Sequence, residues 1–145
     1  MRKLIAWAMA VALLAGCLAN MPATLAAGAT FAGGNGSAED PYRIRTEAQL
    51  YAIRDNPAAQ YRLEADIELR EDWIPVPIFS GTFDGQGYTI RNLTVRETDA
   101  AGFVAKGEGC VIRDVVFADP SLAGIASCGV VAGTLAEASV TNVRI

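Results

Sequence analysis

The chain has 145 residues, room for a single domain, and its 14 glycines and 8% aromatics fit a turn-rich β protein better than a helical bundle. The formal charge is −4, and loss of Arg2 and Lys3 with a leader leaves 10 − 16 = −6; this acidity argues against nucleic acid or an anionic membrane surface as the partner, because both require basic patches. Histidine is absent, which removes the commonest general base and metal ligand.

Residues 1–16 read as a secretory signal. Arg2 and Lys3 form its positive start, and Leu4 to Ala15 supply an apolar run too short to span a bilayer. The segment closes on Leu14-Ala15-Gly16-Cys17, which resembles the lipobox of bacterial lipoproteins. That resemblance implies cleavage before Cys17, diacylglycerol on its sulfur and acylation of its new amino group. Several acyl chains on one residue exceed the two signals needed for stable anchoring, at ~0.8 kcal/mol per buried methylene. Ordinary cleavage near Thr24-Leu25-Ala26-Ala27 would instead leave a soluble protein, but four matched positions at the right distance from the basic start favour the lipobox. Leu18, rather than Asp, after the cysteine implies the outer membrane.

Residues 17–30 are rich in small side chains, carry Pro22 and lack periodicity, so they form a flexible tether ahead of a domain at 31–145. Gly33-Gly34-Asn35-Gly36 and Asp40-Pro41 are turn punctuation; neither a dinucleotide fingerprint nor a P-loop ending accompanies them. Thr46-Glu47-Ala48-Gln49 is a capping box, and Pro57 stops helical geometry at Asn56. One helix of two to three turns follows over Thr46 to Asp55, placed to cap an end of the domain. From Tyr61 to Arg70 apolar and charged residues alternate strictly, predicting a single strand with one buried face. Trp73 to Phe79 contains Pro75 and Pro77 and reads as an extended connection, since proline is not tolerated in a central strand.

A six-residue phrase then recurs: Ile90-Arg91-Asn92-Leu93-Thr94-Val95, Ile112-Arg113-Asp114-Val115-Val116-Phe117 and Val140-Thr141-Asn142-Val143-Arg144-Ile145. The spacings are 112 − 90 = 22 and 140 − 112 = 28. A period of that length marks a solenoid. Ile90 and Leu93 are three apart, so a flat strand would point them to opposite faces. A left-handed or bridge conformation at Asn92, Asp114 and Asn142, which Asn and Asp tolerate best, lets both apolar neighbours face inward. Together with Asp66 these residues are expected to stack as a ladder at one corner of a parallel β-helix.

Gly102-Phe103-Val104-Ala105 and Gly129-Val130-Val131-Ala132 repeat at a spacing of 129 − 102 = 27. A glycine, two large apolar residues and a small one resemble the GLUG-motif repeats of bacterial surface proteins, which occur in large adhesins and beside the catalytic domains of some IgA-specific metallopeptidases. The glycine-rich leader with Asp40-Pro41-Tyr42, and Thr82-Phe83-Asp84-Gly85, also look like that family, and the likeness covers roughly Phe31 to Ile145. The chain departs from it in having two such phrases and no HExxH motif. The expected fold is all-β: a short right-handed parallel β-helix of about three to four rungs with one short N-terminal capping helix. Strands ~4.8 Å apart make a stub of roughly 15–20 Å. Ile145 closes the third phrase, so a C-terminally truncated domain with an open strand edge is expected, able to self-associate there.

Candidate sites weigh toward scaffold. Asn between the corner carboxylates spaces them about 10 Å apart, too far to share one calcium ion at roughly 2.3–2.6 Å. Asp84 reads as an Asx-turn residue, and Trp73 and Tyr88 as packing residues rather than sugar platforms. Cys110 aligns with Ala138 and Cys128 with Ala101, which predicts two buried thiols in small core slots rather than a disulfide. The expected function is therefore a lipid-anchored, outer-membrane binding or adhesin-like module with a protein or glycan ligand, no catalytic residues, and no metal or cofactor. The alternatives are a polysaccharide-active lyase or hydrolase on the same scaffold, marked by clustered acids with Arg or Lys on one outer face, and a truncated subunit that pairs through its open end with a longer repeat protein. A Cys17→Ala protein is expected in the soluble fraction after cell lysis, whereas the parent chain sediments with membranes; equal sedimentation of the two would remove the lipid anchor from this reading.

Overall fold

A computed structural model describes residues 30–96, 99–124 and 127–145. Cys17, the signal segment 1–16 and most of the tether lie outside the described residues. Strand is the main regular structure of the described residues, with little helix, and every strand pair is parallel.

The first pass comprises β1 (Tyr42–Ile44), α1 (Glu47–Tyr51) and a 3₁₀ turn (Ala52–Asp55). The Thr46 hydroxyl accepts from the Gln49 backbone N–H at 3.3 Å, and the Gln49 side-chain oxygen accepts from the Arg45 N–H at 2.8 Å. The reciprocal cap read from the sequence thus forms, displaced by one residue on its return bond. Leu50 and Ile53 bury the inner face of this helical stretch completely. The glycine-rich leader lies along the free side of β1: the Ala32 N–H donates to the Arg43 carbonyl and the Arg43 N–H to the Gly33 carbonyl. Phe31 stacks on Tyr42 at 4.3 Å between ring centroids.

The second pass holds β2 (Gln60–Leu63), β3 (Ile67–Glu68) and β4 (Val76–Phe79). The third holds β5 (Thr82–Asp84), β6 (Thr89–Arg91), β7 (Thr94–Val95), β8 (Ala100–Ala101) and β9 (Val104–Glu108). The fourth holds β10 (Val111–Arg113), β11 (Val116–Ala118), β12 (Ser121–Leu122), β13 (Ser127–Cys128) and β14 (Ala132–Ala136), and β15 (Ser139–Thr141) follows. These strands form five sheets, ordered β1-β2-β5-β10-β15, β11-β6-β3, β12-β7, β13-β8 and β14-β9-β4. The third and fourth passes visit the five sheets in the same order, and β15 returns to the first. Thr82, Val111 and Ser139 lie side by side, so successive circuits advance the chain by 111 − 82 = 29 and then 139 − 111 = 28.

Three turns recur in those circuits, each carried by a residue with left-handed φ. Gly109 (62°) lies beside Glu137 (51°), Asp114 (53°) beside Asn142 (49°), and Asn92 (59°) beside Asp119 (54°). The residue that follows turns inward: Cys110, Val115 and Leu93 are buried. The predicted device at Asn92, Asp114 and Asn142 is therefore present, since Ile90 with Leu93, and Ile112 with Val115, are all fully buried despite their odd spacing.

The single-corner ladder is corrected. Asp114 and Asn142 are stacked, with the Asn142 amide donating to the Asp114 carboxylate at 2.6 Å. Asn92, however, sits at another turn, in register with Asp119, and Asp66 is an acceptor for the Thr89 N–H at 2.8 Å. The step from Ile90 to Ile112 compares two different turns of the circuit, while the step from Ile112 to Val140 is a true rung. Each turn needs the same local chemistry, so the phrases look alike without being equivalent.

Two strand expectations also change. Tyr61 to Arg70 bends between β2 and β3 into separate sheets. Leu63 and Ile67 lie an even number of residues apart, so a corner between them preserves strict alternation and leaves no trace in the pattern. Trp73 to Phe79 contains β4, an edge strand paired to β9, where Pro77 removes no ladder bond from a second neighbour.

The interior is filled by aromatic rings. Trp73 stacks on Phe103 at 5.2 Å and 14°, and Phe103 also meets Phe83 at 5.0 Å and Phe117 at 5.6 Å. The Trp73 indole N–H donates to the Phe103 carbonyl at 2.8 Å, which satisfies its one polar group. The glycine of the GLUG-like phrase has a steric cause: a Cβ on Gly102 would lie 2.5 Å from the Gly129 carbonyl oxygen of the next circuit. Ala101 and Cys128 pair as the alignment predicted, and the extra residue of the second phrase is absorbed before Ala132 pairs with Val104. Both described cysteines are free; Cys110 is buried, but Cys128 is exposed, because β13 is the outer strand of its pair.

Asp114→Ala is expected to cost about 1–2 kcal/mol by forcing an alanine into left-handed backbone, whereas Asp114→Asn stays within about 0.5 kcal/mol. Denaturant midpoints followed by circular dichroism check this, and equal losses for both variants would contradict the corner assignment.

Candidate functional site

The longest sheet carries the most structured surface. Its outward positions put Arg43, Arg62, Asp84, Arg113 and Thr141 side by side on five successive strands. Two residues earlier, Gln60, Thr82, Val111 and Ser139 form a parallel row. The inward residues between these rows, Tyr61, Phe83 and Ile112, are buried, so alternation along each strand exposes the polar rows. The leader loop overhangs them at Ala38, Glu39 and Pro41, enclosing a groove of about 440 Å³ whose floor includes Arg62, Asp84, Gln86 and Arg113. A second hollow of about 420 Å³ shares Arg62 and Gln86 and reaches Arg45, Glu64 and Tyr88.

Asp84 anchors the groove. It is 7% exposed and is the buried charged residue among the described ones. One carboxylate oxygen accepts from the Gln86 N–H at 3.0 Å, the Asx turn expected from the glycine-flanked sequence. The other accepts from Arg113 Nε at 3.0 Å and Nη2 at 2.7 Å. The turn is tight because Gly85 passes the neighbouring circuit closely, and a Cβ there would lie 2.4 Å from the Asp114 carbonyl oxygen.

Glu64 organises the second hollow. Arg45 donates through Nε at 2.9 Å and Nη2 at 2.7 Å, and Arg62 through Nη2 at 3.0 Å. Arg43 Nε approaches at 3.7 Å. The Arg45 hydrogen bonds, followed by those from Arg62, hold the Glu64 carboxyl below the usual glutamate range. The Arg62 Nε atom is enclosed and has no hydrogen-bond partner among the described residues. Arg43, Arg45, Arg62 and Arg113 stand here against Glu39, Asp40, Glu64 and Asp84, so this face is balanced in charge within an acidic chain and gathers four guanidinium groups in one place.

Of the residues singled out from the sequence, Asp84 lies in the groove and Tyr88 beside the second hollow, and the others lie elsewhere. Asp66, Asn92, Asp114 and Asn142 shape turns. Trp73 is buried in the aromatic core, with Arg54 over its ring at 4.7 Å, and Tyr88, 37% exposed, stands at the edge of the second hollow. Among the described residues no group of three or more Cys, Asp or Glu side chains is placed to hold a metal ion, and no described helix is long and apolar enough to cross a membrane. The groove was not legible beforehand because its rows come from four passes. Its sequence signals were Asp84 in its glycine-flanked turn and the arginine at the second position of the repeated phrase, Arg91 and Arg113, of which only Arg113 belongs to this sheet.

No family model matches the chain, and no solved structure matches it. Among curated proteins, the chain is similar to Halomucin of Haloquadratum walsbyi, 38% identical over 142 residues; the match takes in 80% of this chain and 2% of that protein. The chain thus spans about 2% of the length of the relative it matches.

Glu64→Gln is expected to lower stability by up to about 1 kcal/mol at neutral pH, the usual scale for a partly exposed pair. A lowered folded pKa adds stability that is present above the unfolded glutamate value of about 4.3 and is lost as pH falls through the lower folded value. The gap between variant and parent therefore closes on acidification, and unfolding curves across that range that stay parallel would contradict the Arg45–Glu64 assignment.

Proposed function

We propose that the chain is a lipid-anchored binding module of the bacterial cell envelope, adhesin-like, related to the GLUG-motif surface proteins and built as a short right-handed parallel β-helix of about three to four rungs. The observation that carries the architecture is the repeated visit to five parallel sheets in one order, with left-handed residues at matching turns. The in-register pairing of Ala101 with Cys128, directly before the two GLUG-like glycines, supports the family reading. The likeness to Halomucin supports a place at the cell surface or envelope, and the lipobox at Cys17 supports attachment to the outer membrane.

Binding fits the site better than catalysis. A parallel β-helix presents long, rigid, flat sides, and a groove across one of them suits an extended ligand. The two carboxylates on the sheet itself are engaged, Asp84 by Arg113 and its own turn and Glu64 by Arg45 and Arg62, while Glu39 stands on the rim. The hydrogen bonds from Arg45 hold the Glu64 carboxyl below its ordinary value, which makes it a poor proton donor. One observation favours the second reading, a polysaccharide-cleaving enzyme: acids and arginines do share one outer face.

The two readings separate in one measurement. The purified chain, incubated with a panel of soluble polysaccharides, is expected to retain a ligand without generating new reducing ends. Time-dependent release of reducing ends, abolished by Asp84→Asn, would establish the enzyme instead.

A further inference from the structure

The groove on the longest sheet carries more chemical information than a generic binding face. Arg62 and Arg113 flank Asp84 on adjacent strands, which sets their backbones roughly 10 Å apart along the stacking direction. Each guanidinium uses only part of its donor set inside the protein. Arg113 engages Asp84 through Nε and Nη2, and Arg62 engages Glu64 through Nη2, while guanidinium offers five N–H donors in all. Around them stand neutral donors and acceptors: Gln60, Thr82 and Gln86. The groove crosses three strands, β2, β5 and β10.

We propose that this groove binds an acidic polysaccharide, with Arg62 and Arg113 each engaging a carboxylate or sulfate group and the amides and hydroxyl engaging sugar hydroxyls. The inference rests on the reading of the chain as a binding module and specifies its ligand class. Guanidinium matches carboxylate and sulfate in a planar, two-pronged geometry that ammonium lacks. Two such groups spaced along one groove select a polymer with charges at intervals over a single acidic molecule. Nucleic acid fits less well, because single strands are held by bases stacked on aromatic faces, and the aromatic rings behind this sheet, Tyr61 and Phe83, are buried. An acidic peptide added as a strand needs an unpaired sheet edge, whereas β2, β5 and β10 are paired on both sides. Glu39 on the rim opposes the ligand's charge and biases the groove toward sparsely charged glycans over the densest polyanions.

The test is affinity electrophoresis of the full chain through gels containing polygalacturonate, dextran sulfate, neutral dextran or no polymer, with single-stranded DNA as a competing polyanion. Retardation by an acidic glycan, weakening as salt rises and absent with dextran, is expected. Arg62→Gln with Arg113→Gln should weaken it about tenfold or more, and Arg91→Gln, on a different sheet, should leave it unchanged. Arg113→Gln leaves Asp84 without its partner, so Val111→Glu, which adds a carboxylate to the groove outside any ion pair, gives an independent variant expected to lose retardation while keeping the parent's unfolding midpoint. Retardation by neutral dextran that none of these variants alters would overturn the acidic-glycan inference and leave the binding module standing. Equal loss in Arg91→Gln, or displacement by DNA at equal charge, would reduce the effect to net charge and also overturn it. Absence of retardation by either acidic polymer sinks the inference outright.

Discussion

The structure depends on one backbone constraint, the left-handed residue at three recurrent turns. A chain that must stack each circuit directly on the one before has to change direction abruptly without turning an apolar side chain to water. A single left-handed residue followed by an inward one does this, at Asn92-Leu93 and Asp114-Val115. Asn and Asp accept this conformation at low cost because their short polar side chains bond locally. At Asp114 the bond reaches to the next circuit, where the Asn142 amide donates to its carboxylate. Once these turns are fixed, strand register follows, and with it every row of side chains on the outer faces.

The core follows from the same constraint. Strands of two to five residues bury almost nothing alone, so each circuit is stable only against its neighbours. The column of Trp73, Phe83, Phe103 and Phe117 crosses circuits instead of lying within one, which makes the stacked circuits interdependent. Glycine at 102 lets the backbones approach closely enough for those rings to meet. At the other end Leu135 and Val140 remain 49% and 36% exposed, since their strands have neighbours on one side only. The first circuit differs: the helix and the leader segment at 31–36 cover it, with Leu50, Ile53 and Phe31 joining the core.

Electrostatics on the longest sheet divides into two kinds. Of the arginines around Glu64, Arg45 is exposed and Arg43 and Arg62 are half-buried, and partly exposed pairs of this kind add little to stability. They remain available to exchange partners with an anionic ligand. Asp84 is nearly buried, so losing Arg113 would strand a charge in a poorly solvated turn. The groove thus has a fixed centre and adjustable flanks, a combination suited to holding an irregular polymer.

Much of the architecture was legible in the residues. Asn or Asp between two apolar positions at odd spacing has few explanations other than a bend, and the capping box at Thr46 needs only local chemistry. The repeat of Gly102 at Gly129 marked a true rung because close approach of two backbones leaves glycine no substitute. What the sequence by itself determined was local: where the chain bends, where it caps, which side chains point inward. Only the tertiary structure decided which bends are neighbours. Asn92 and Asp114 obey the same rule at different turns, and the corner between Leu63 and Ile67 preserves parity and so stays invisible. For the same reason the groove could not be foreseen: Arg62, Asp84 and Arg113 are separated by whole circuits, and parallel stacking alone brings them side by side.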